Sequence, residues 1–241
     1  MSSRFARVVI GVGRDVGPPS IELARLLRVP DAAVVLVHVV VDGGLHGVLP
    51  AVDPQPVPLD FLRAARRALG PPCEMVVHHA SSVAAGLHEI AVRESADLIV
   101  VGPGHPERLH GVQAILHHAP CPVAVASRDA GAEQVALRRV GIAYLPTVAG
   151  RHGLAVAREV VAEHGGELCA ITVVPDEASP WLGPMLGTVK ALAMIDGLFL
   201  RIAADDLAAL PDATSQVAEG DPVEELVRFS QGVDLLVVGA R

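Results

Sequence analysis

The sequence predicts a duplicated α/β fold, two copies of a parallel sheet wrapped by helices, and three observations carry that prediction. Leu98–Val101 is an all-apolar run of strand length, closed at once by Gly102, Pro103 and Gly104, as expected of a strand buried on both faces. The phrase returns as Asp234-Leu235-Leu236-Val237-Val238-Gly239, so that Asp97 and Asp234 mark a repeat. Hydrophobic residues make up 51% of the chain and aromatics only 2%, leaving Val, Ala, Leu and Ile to form the apolar surfaces of helix-covered strands. In such sheets ligands bind just beyond the carboxyl ends of the strands, which directs attention to Gly102–His105.

With 241 residues the chain has room for one large domain or two of about 120 residues. The formal charge of −8 and the scarcity of aromatic residues argue against nucleic-acid binding, which favours a basic face or stacking rings. Cys73, Cys121 and Cys169 are scattered, with no Cys-x-x-Cys spacing, as expected of reduced, buried thiols rather than a disulfide frame or zinc site. The longest apolar run, Ala32–Val41, is too short to span a bilayer, and the first residues carry no signal-peptide pattern. The expectation is a soluble cytoplasmic protein.

Each element follows from local pattern. Arg7–Val12 is a β-branched strand leading into Gly13. After Gly17-Pro18-Pro19, Ser20 is the expected N-cap of a helix, with Leu23, Leu26 and Leu27 at helical spacing. Val34–Val41 is the second strand, and residues 42–58, rich in Gly and Pro, are a loop. Leu59–Leu69 is a short helix with Arg63, Arg66 and Arg67 on its wetter side. Cys73–His79 is the third strand, Ser82–Glu94 a helix capped by Ser81 or Ser82, and Leu98–Val101 the fourth strand. Pro106–His118 holds one further helix and Pro122–Ala126 the fifth strand. Alternating strands and helices predict right-handed crossovers and a doubly wound parallel sheet.

Residues 127–137 form the expected linker, and the pattern restarts. Arg139–Tyr144 is a strand, Arg151–His164 a helix stopped by Gly165-Gly166, and Glu167–Val174 a strand. Pro175–Gly187 is a loop holding the single Trp181, Thr188–Leu210 a long helix, and Asp212–Ala218 a strand. Asp221-Pro222 opens the next helix as N-cap and first helical residue, and Leu235–Val238 closes the series. The expected domains are residues 1–128 and 138–241, the second without the last helix and strand of the first.

Four stretches resemble the universal stress protein family. They are Val8-Val9-Ile10-Gly11-Val12, echoed at residues 140–144; Leu36-Val37-His38-Val39; Ala96-Asp97-Leu98-Ile99-Val100-Val101-Gly102, copied at residues 233–239; and, most specific, His117-His118-Ala119-Pro120-Cys121-Pro122-Val123-Ala124-Val125. The resemblance spans nearly the whole chain in two copies and implies strand order 3-2-1-4-5, with the fifth strands as meeting edges between domains or chains. The family's nucleotide-binding members imply an Asp after the first strand, a backbone group facing adenine near the end of the second, and a Gly-x2-Gly-x9-Gly-[Ser/Thr] loop around the phosphates. Glycines there let backbone N–H groups approach the phosphate oxygens.

This chain departs from that pattern. The Asp position falls on Gly13 in the first copy and on Leu145 in the second, and a loop starting at Gly102 meets His105, Ile115 and Leu116 where glycines and a hydroxyl are required. Gly104 and Gly111 lie nearby but out of register. The candidate nucleotide site therefore comprises Gly13, Val39 (through its backbone), Gly102, Gly104 and His105. Asp15 is a displaced candidate for the missing carboxylate.

Other polar residues have structural explanations. His105 and His110, with Glu107 between them, lack metal-ligand spacing and are expected to be solvated. His78 and His79, adjacent on a strand, point to opposite faces. His117 and His118 suit a helix C-terminus. Asp97 and Asp234 are expected to tie down the turns before their strands, and Trp181, with Leu182, Met185 and Leu186, either forms a partner-contact patch or packs over its own sheet. No acid/base pair or activated nucleophile is evident, so no catalytic or metal residue is assigned. Three functions stay open: a stress-associated binding or regulatory protein that acts through protein contacts or self-association, with no cofactor; an ATP-, ADP- or AMP-binding switch, or slow ATPase, using a non-standard loop after the fourth strand; and, least favoured, an enzyme of the wider family of adenine-nucleotide-handling α/β domains. Neither nucleic acid nor membrane is expected as a partner.

Overall fold

The computed structural model describes residues 5–13, 18–41, 59–103, 109–127, 136–175 and 196–239. The chain forms two compact units, one ending at Val135 and the other beginning at Ala136. In the first, β1 (Phe5–Gly11), α1 (Pro18–Leu27), β2 (Arg28–Val41), α2 (Asp60–Leu69), β3 (Cys73–Ala80), α3 (Val83–Arg93), β4 (Leu98–Val101), α4 (Leu109–Leu116) and β5 (Val123–Val125) alternate. Every pairing is parallel and the strand order is β3-β2-β1-β4-β5. The second unit contains β6 (Arg139–Ala143), α5 (Val148–His164), β7 (Glu167–Val174), α6 (Asp196–Ala208), β8 (Ala213–Glu219), α7 (Pro222–Ser230) and β9 (Leu235–Val238). Its parallel sheet runs β8-β7-β6-β9, the same order as the first four strands of the first sheet.

Strand alternation builds two cores on each sheet. Val9, Val35, Val37, Ile99 and Val101 face one side and join Leu87, Ile90 and Ala91 of α3 and Ile115 of α4 in one buried cluster. Val8, Ile10, Val34, Leu36, Leu98 and Val100 are equally buried on the other face, where α1 packs on β1 and β4 and α2 on β2 and β3. Each fully buried aliphatic side chain contributes about 1.5–3 kcal/mol. Burial on both faces is why these strands are continuous apolar runs.

Several boundaries differ from the sequence expectation. Helix α1 starts at Pro18, so Ser20 is a buried residue inside the helix rather than its N-cap; a proline suits the first turn, whose N–H groups need no intrahelical partner. Strand β2 begins at Arg28, directly after α1, and an irregularity between Phe5↔Arg28 and Arg7↔Ala33 absorbs the extra residues. Helix α5 begins before Arg151, at Val148, because Thr147 is its N-cap and accepts from the Gly150 N–H at 3.0 Å. Leu137, expected in the linker, is 2% exposed and belongs to the second core. Helix α4 ends at Leu116, with His117-His118 in the following turn and His118 at φ 58°. Cys73 and Cys121 are half-buried and only Cys169 is buried. The expected caps at Ser82 and Asp221 form, and Gly165 adopts the left-handed φ of 68° that ends α5. Asp15, residues 175–187 beyond Pro175, and the start of the helix expected from Thr188 lie outside the described residues, as does the Trp181 patch.

The repeated Asp has a defined role. Asp97 accepts from the backbone N–H groups of Ala6 and Arg7 at 2.8 and 3.0 Å, tying the entry of β4 to the start of β1. Asp234 does the same for Arg138 and Arg139, both at 2.8 Å. Asp97→Ala removes both acceptors and is expected to lower the stability of the first unit by about 1–2 kcal/mol, read by urea unfolding; an unchanged midpoint would contradict the role.

The two units differ in how their fourth strands are covered. Leu98–Val101 are all 5% exposed or less, whereas β9 is partly exposed throughout and Val238 is 56% exposed. Helix α3 buries Gly86, Leu87, Ile90 and Ala91, but α7 buries none of its residues. In the first unit α4 and β5 supply the missing cover; no counterpart exists among the described residues of the second.

Candidate functional site

The strand order reverses between β1 and β4, so the crevice of the first unit opens where the two strands end, at Gly11–Gly13 and Val101–Pro103. Parallel pairing brings Gly13 and Gly102 of the candidate set to these neighbouring strand ends. Gly104 and His105 lie outside the described residues, as does Glu107. Val39 pairs with His78 in the sheet. Its side chain lies so close to α3 that a Cβ on Gly86 would approach Val39 Cγ1 to 2.7 Å.

The end of β1 is held to β2 by two bonds at Val12. The Val12 N–H donates to Val37 O at 2.8 Å, and Val12 is 4% exposed. His38 places Nδ1 2.9 Å from Val12 O, an arrangement in which the ring N–H donates to the carbonyl, and its ring stands edge-on to Phe61 at 4.8 Å. The second unit repeats the device with other chemistry: Tyr144 N–H donates to Ile171 O at 2.8 Å, and Thr172 Oγ1 donates to Tyr144 O at 2.8 Å. Sequence inspection passed over both donors. The available signal was a lone polar residue at the same place in two apolar strands, His38 and Thr172.

Ile115, at a position where the phosphate loop calls for glycine, is 5% exposed and part of the first core. Its carbonyl lies 2.8 Å from His88 Nε2, which ties the end of α4 to α3. Leu116, at the hydroxyl position, is 50% exposed. Among the described residues that end β1, β2, β3 and β4 on this side, none is Lys or Arg, so none neutralises a phosphate chain.

In the second unit two stretches of backbone approach closely at the equivalent place. A Cβ on Gly150 would lie 1.9 Å from Leu145 O, and one on Gly239 would lie 3.0 Å from the Ala149 carbonyl carbon and 3.1 Å from Gly150 N. The first turn of α5 thus sits directly against the ends of β6 and β9. Its Gly150 N–H is already bonded to Thr147 Oγ1, and the Arg151 N–H to Thr147 O at 3.0 Å.

The remaining candidates have ordinary structural roles. His78 pairs with Glu89 at 2.7 Å, and the His117 and His118 rings stack edge-to-face at 4.3 Å. Burial and the nearby Asp97 carboxylate push the Cys121 thiol up to about 11, away from nucleophilic thiolate chemistry. Arg158 clamps Asp212 through two 2.6 Å hydrogen bonds and holds that carboxyl below its ordinary range. Among the described residues no group of His, Cys, Asp and Glu is placed to hold a metal ion, and no helix is long and apolar enough to cross a membrane.

The fold defines a class: a tandem, doubly wound α/β protein whose strand order reverses once in each parallel sheet. The universal stress protein family model matches residues 7–127, and the chain belongs to that family. No curated protein is significantly similar in sequence. Among solved structures, a universal stress protein from Archaeoglobus fulgidus is 14% identical with TM-score 0.63, the match covering 98% of this chain and 85% of that one. A Pseudomonas aeruginosa protein of unknown function is 16% identical with TM-score 0.65, over 98% of this chain and 82% of its own. A universal stress protein from Archaeoglobus fulgidus in complex with dAMP aligns over 52% of this chain and 99% of its own, at 15% identity and TM-score 0.38. The first two likenesses span both units and establish the fold.

Proposed function

We infer that this universal stress protein is a cytoplasmic binding or regulatory protein that acts through protein contacts, without ATP and without catalysis of its own. The observation that carries the reading is the packing of Ile115 into the first core, where a glycine would let backbone approach a phosphate. In the second unit Leu145 stands where the family's carboxylate is expected, which supports the same conclusion there. Apolar surface is available for protein contacts: Val223 and Val227, one turn apart on α7, are 57% and 55% exposed. Among the described residues β5 and β9 are edge strands, which suit self-association by strand pairing.

Hydrogen exchange resolved to single amides tests the reading at the site itself. With millimolar MgATP, ADP or AMP, the amides of Gly11, Val12, Gly13, Val101 and Gly102 are expected to exchange as in the free protein. Slowed exchange confined to these amides would instead establish an adenine-nucleotide switch.

A further inference from the structure

We propose that the first unit carries a second, separate site, a groove for a multiply charged phosphate anion held by Arg63, Arg66 and Arg67. The groove has a volume of about 620 Å³ and lies between the C-terminal half of α2 and the start of β3. That is the opposite end of the sheet from the strand reversal, so the proposal does not rest on the closed-crevice reading. Its described lining is Arg63, Arg66, Arg67, Gly70, Pro71 and Met75, with no carboxylate.

The helix explains why three arginines line the groove. Leu62, Ala65 and Leu69 bury the core face of α2, and the arginines, three and four residues apart, occupy one neighbouring side. Like charges at such spacing repel. Arg63 has a single exposed ion pair, to Asp60 at 3.3 Å. The side chains of Arg66 and Arg67 have neither an ion pair nor a hydrogen bond among the described residues, although the chain as a whole carries a formal charge of −8. The negative end of the helix dipole favours a cation in the last turn, but it does not call for a concavity beside them. Gly70 supplies part of that concavity: at φ 74° and ψ 173° it adopts a backbone conformation reserved for glycine, and a Cβ there would meet no atom within 4 Å.

The chemistry selects phosphate. A guanidinium presents a planar fork that pairs with two oxygens, and one carboxylate satisfies one fork. A tetrahedral phosphate or a pyrophosphate offers oxygens in several directions and at least two charges, enough to engage three forks from one wall. Pro71 and Met75 leave apolar surface beside them for the organic part of a phosphate ester.

Isothermal titration of the full chain with sodium pyrophosphate at low ionic strength is the test, with ADP and citrate as parallel ligands. Pyrophosphate is expected to bind with one-to-one stoichiometry, and more weakly as salt is added. The double variant Arg66→Gln/Arg67→Gln, exposed and so expected to fold, should raise the dissociation constant by about tenfold or more, from the loss of charge-assisted bonds. Arg93→Gln, on α3, should change nothing. Equal loss of ADP and pyrophosphate binding in the double variant would show that the phosphates are recognised whatever carries them. ADP binding that survives the double variant belongs to the strand reversal and would overturn the closed-crevice reading, not the groove. No pyrophosphate binding, binding unchanged in the double variant, or citrate bound as tightly would each overturn the proposal.

Discussion

Gly150→Ala is expected to destabilise the second unit by about 3 kcal/mol or more, near the top of the range for a single added methyl group. The new Cβ would sit 1.9 Å from Leu145 O, and the next atoms in reach are also Leu145 backbone, at 3.0 and 3.2 Å. A clash with the end of a flexible side chain is relieved by a rotamer change; a clash with a carbonyl requires the chain to move. Movement here would break the Thr147 cap, since Thr147 Oγ1 accepts from Gly150 N–H, and the Thr147 N–H donates to that same Leu145 O at 2.7 Å. Gly111→Ala in α4 is the control, because a Cβ there meets nothing within 4 Å; alanine should be neutral or stabilise by up to about 1 kcal/mol. Urea unfolding followed by hydrogen exchange, which separates the two units, reads both variants. A Gly150→Ala protein as stable as the parent would contradict the close approach of Gly150 to the Leu145 carbonyl.

The second large effect is expected at Ile115. Ile115→Ala should cost the first unit about 2–4 kcal/mol, the range for emptying a buried aliphatic site that cannot fully collapse. Ile115 is 5% exposed and packs with Leu87, Ile90 and Ile99, while its carbonyl is bonded to His88. Ile115→Gly would remove more of the side chain and add the backbone freedom of glycine, so it should be less stable still. Although it restores the glycine of the phosphate loop at that position, it is not expected to confer nucleotide binding, because His105 and Leu116 still depart from the pattern. A glycine variant that gained MgATP-dependent protection at Gly102 would show that Ile115 alone had blocked the site.

Much of this was legible from residue order. Leu98–Val101 were identifiable as a strand buried on both faces because an apolar run of four between turn residues has few alternatives, and all four are in fact buried. Asp221-Pro222 predicted a helix start, and Asp221 caps α7 through the Val223 and Glu224 N–H groups. Start signals that compete were harder. Ser20 and Pro18 are both good first-turn residues, and the choice between them depends on where β1 releases the chain. Thr147 lay four residues ahead of the expected helix start because Pro146-Thr147-Val148 has no helical periodicity of its own; the cap became evident only from its bond to Gly150.

The duplicated strand pattern, the repeated Asp97 and Asp234, and the loss of the phosphate-loop residues were properties of the sequence alone, since each depends on which residues occur and at what spacing. The tertiary structure decided where Ile115 lies. Whether Ile115 is a core residue or a crevice wall depends on how α4 lies against α3, and the close approach of Gly150 to Leu145 O is likewise set by the packing of α5 on β6. It also decided that the repeated Asp ties two strands, and that His38 and Thr172 perform one task with different side chains. These are contacts between residues far apart in the chain, and local propensity holds no information about distances that only packing sets.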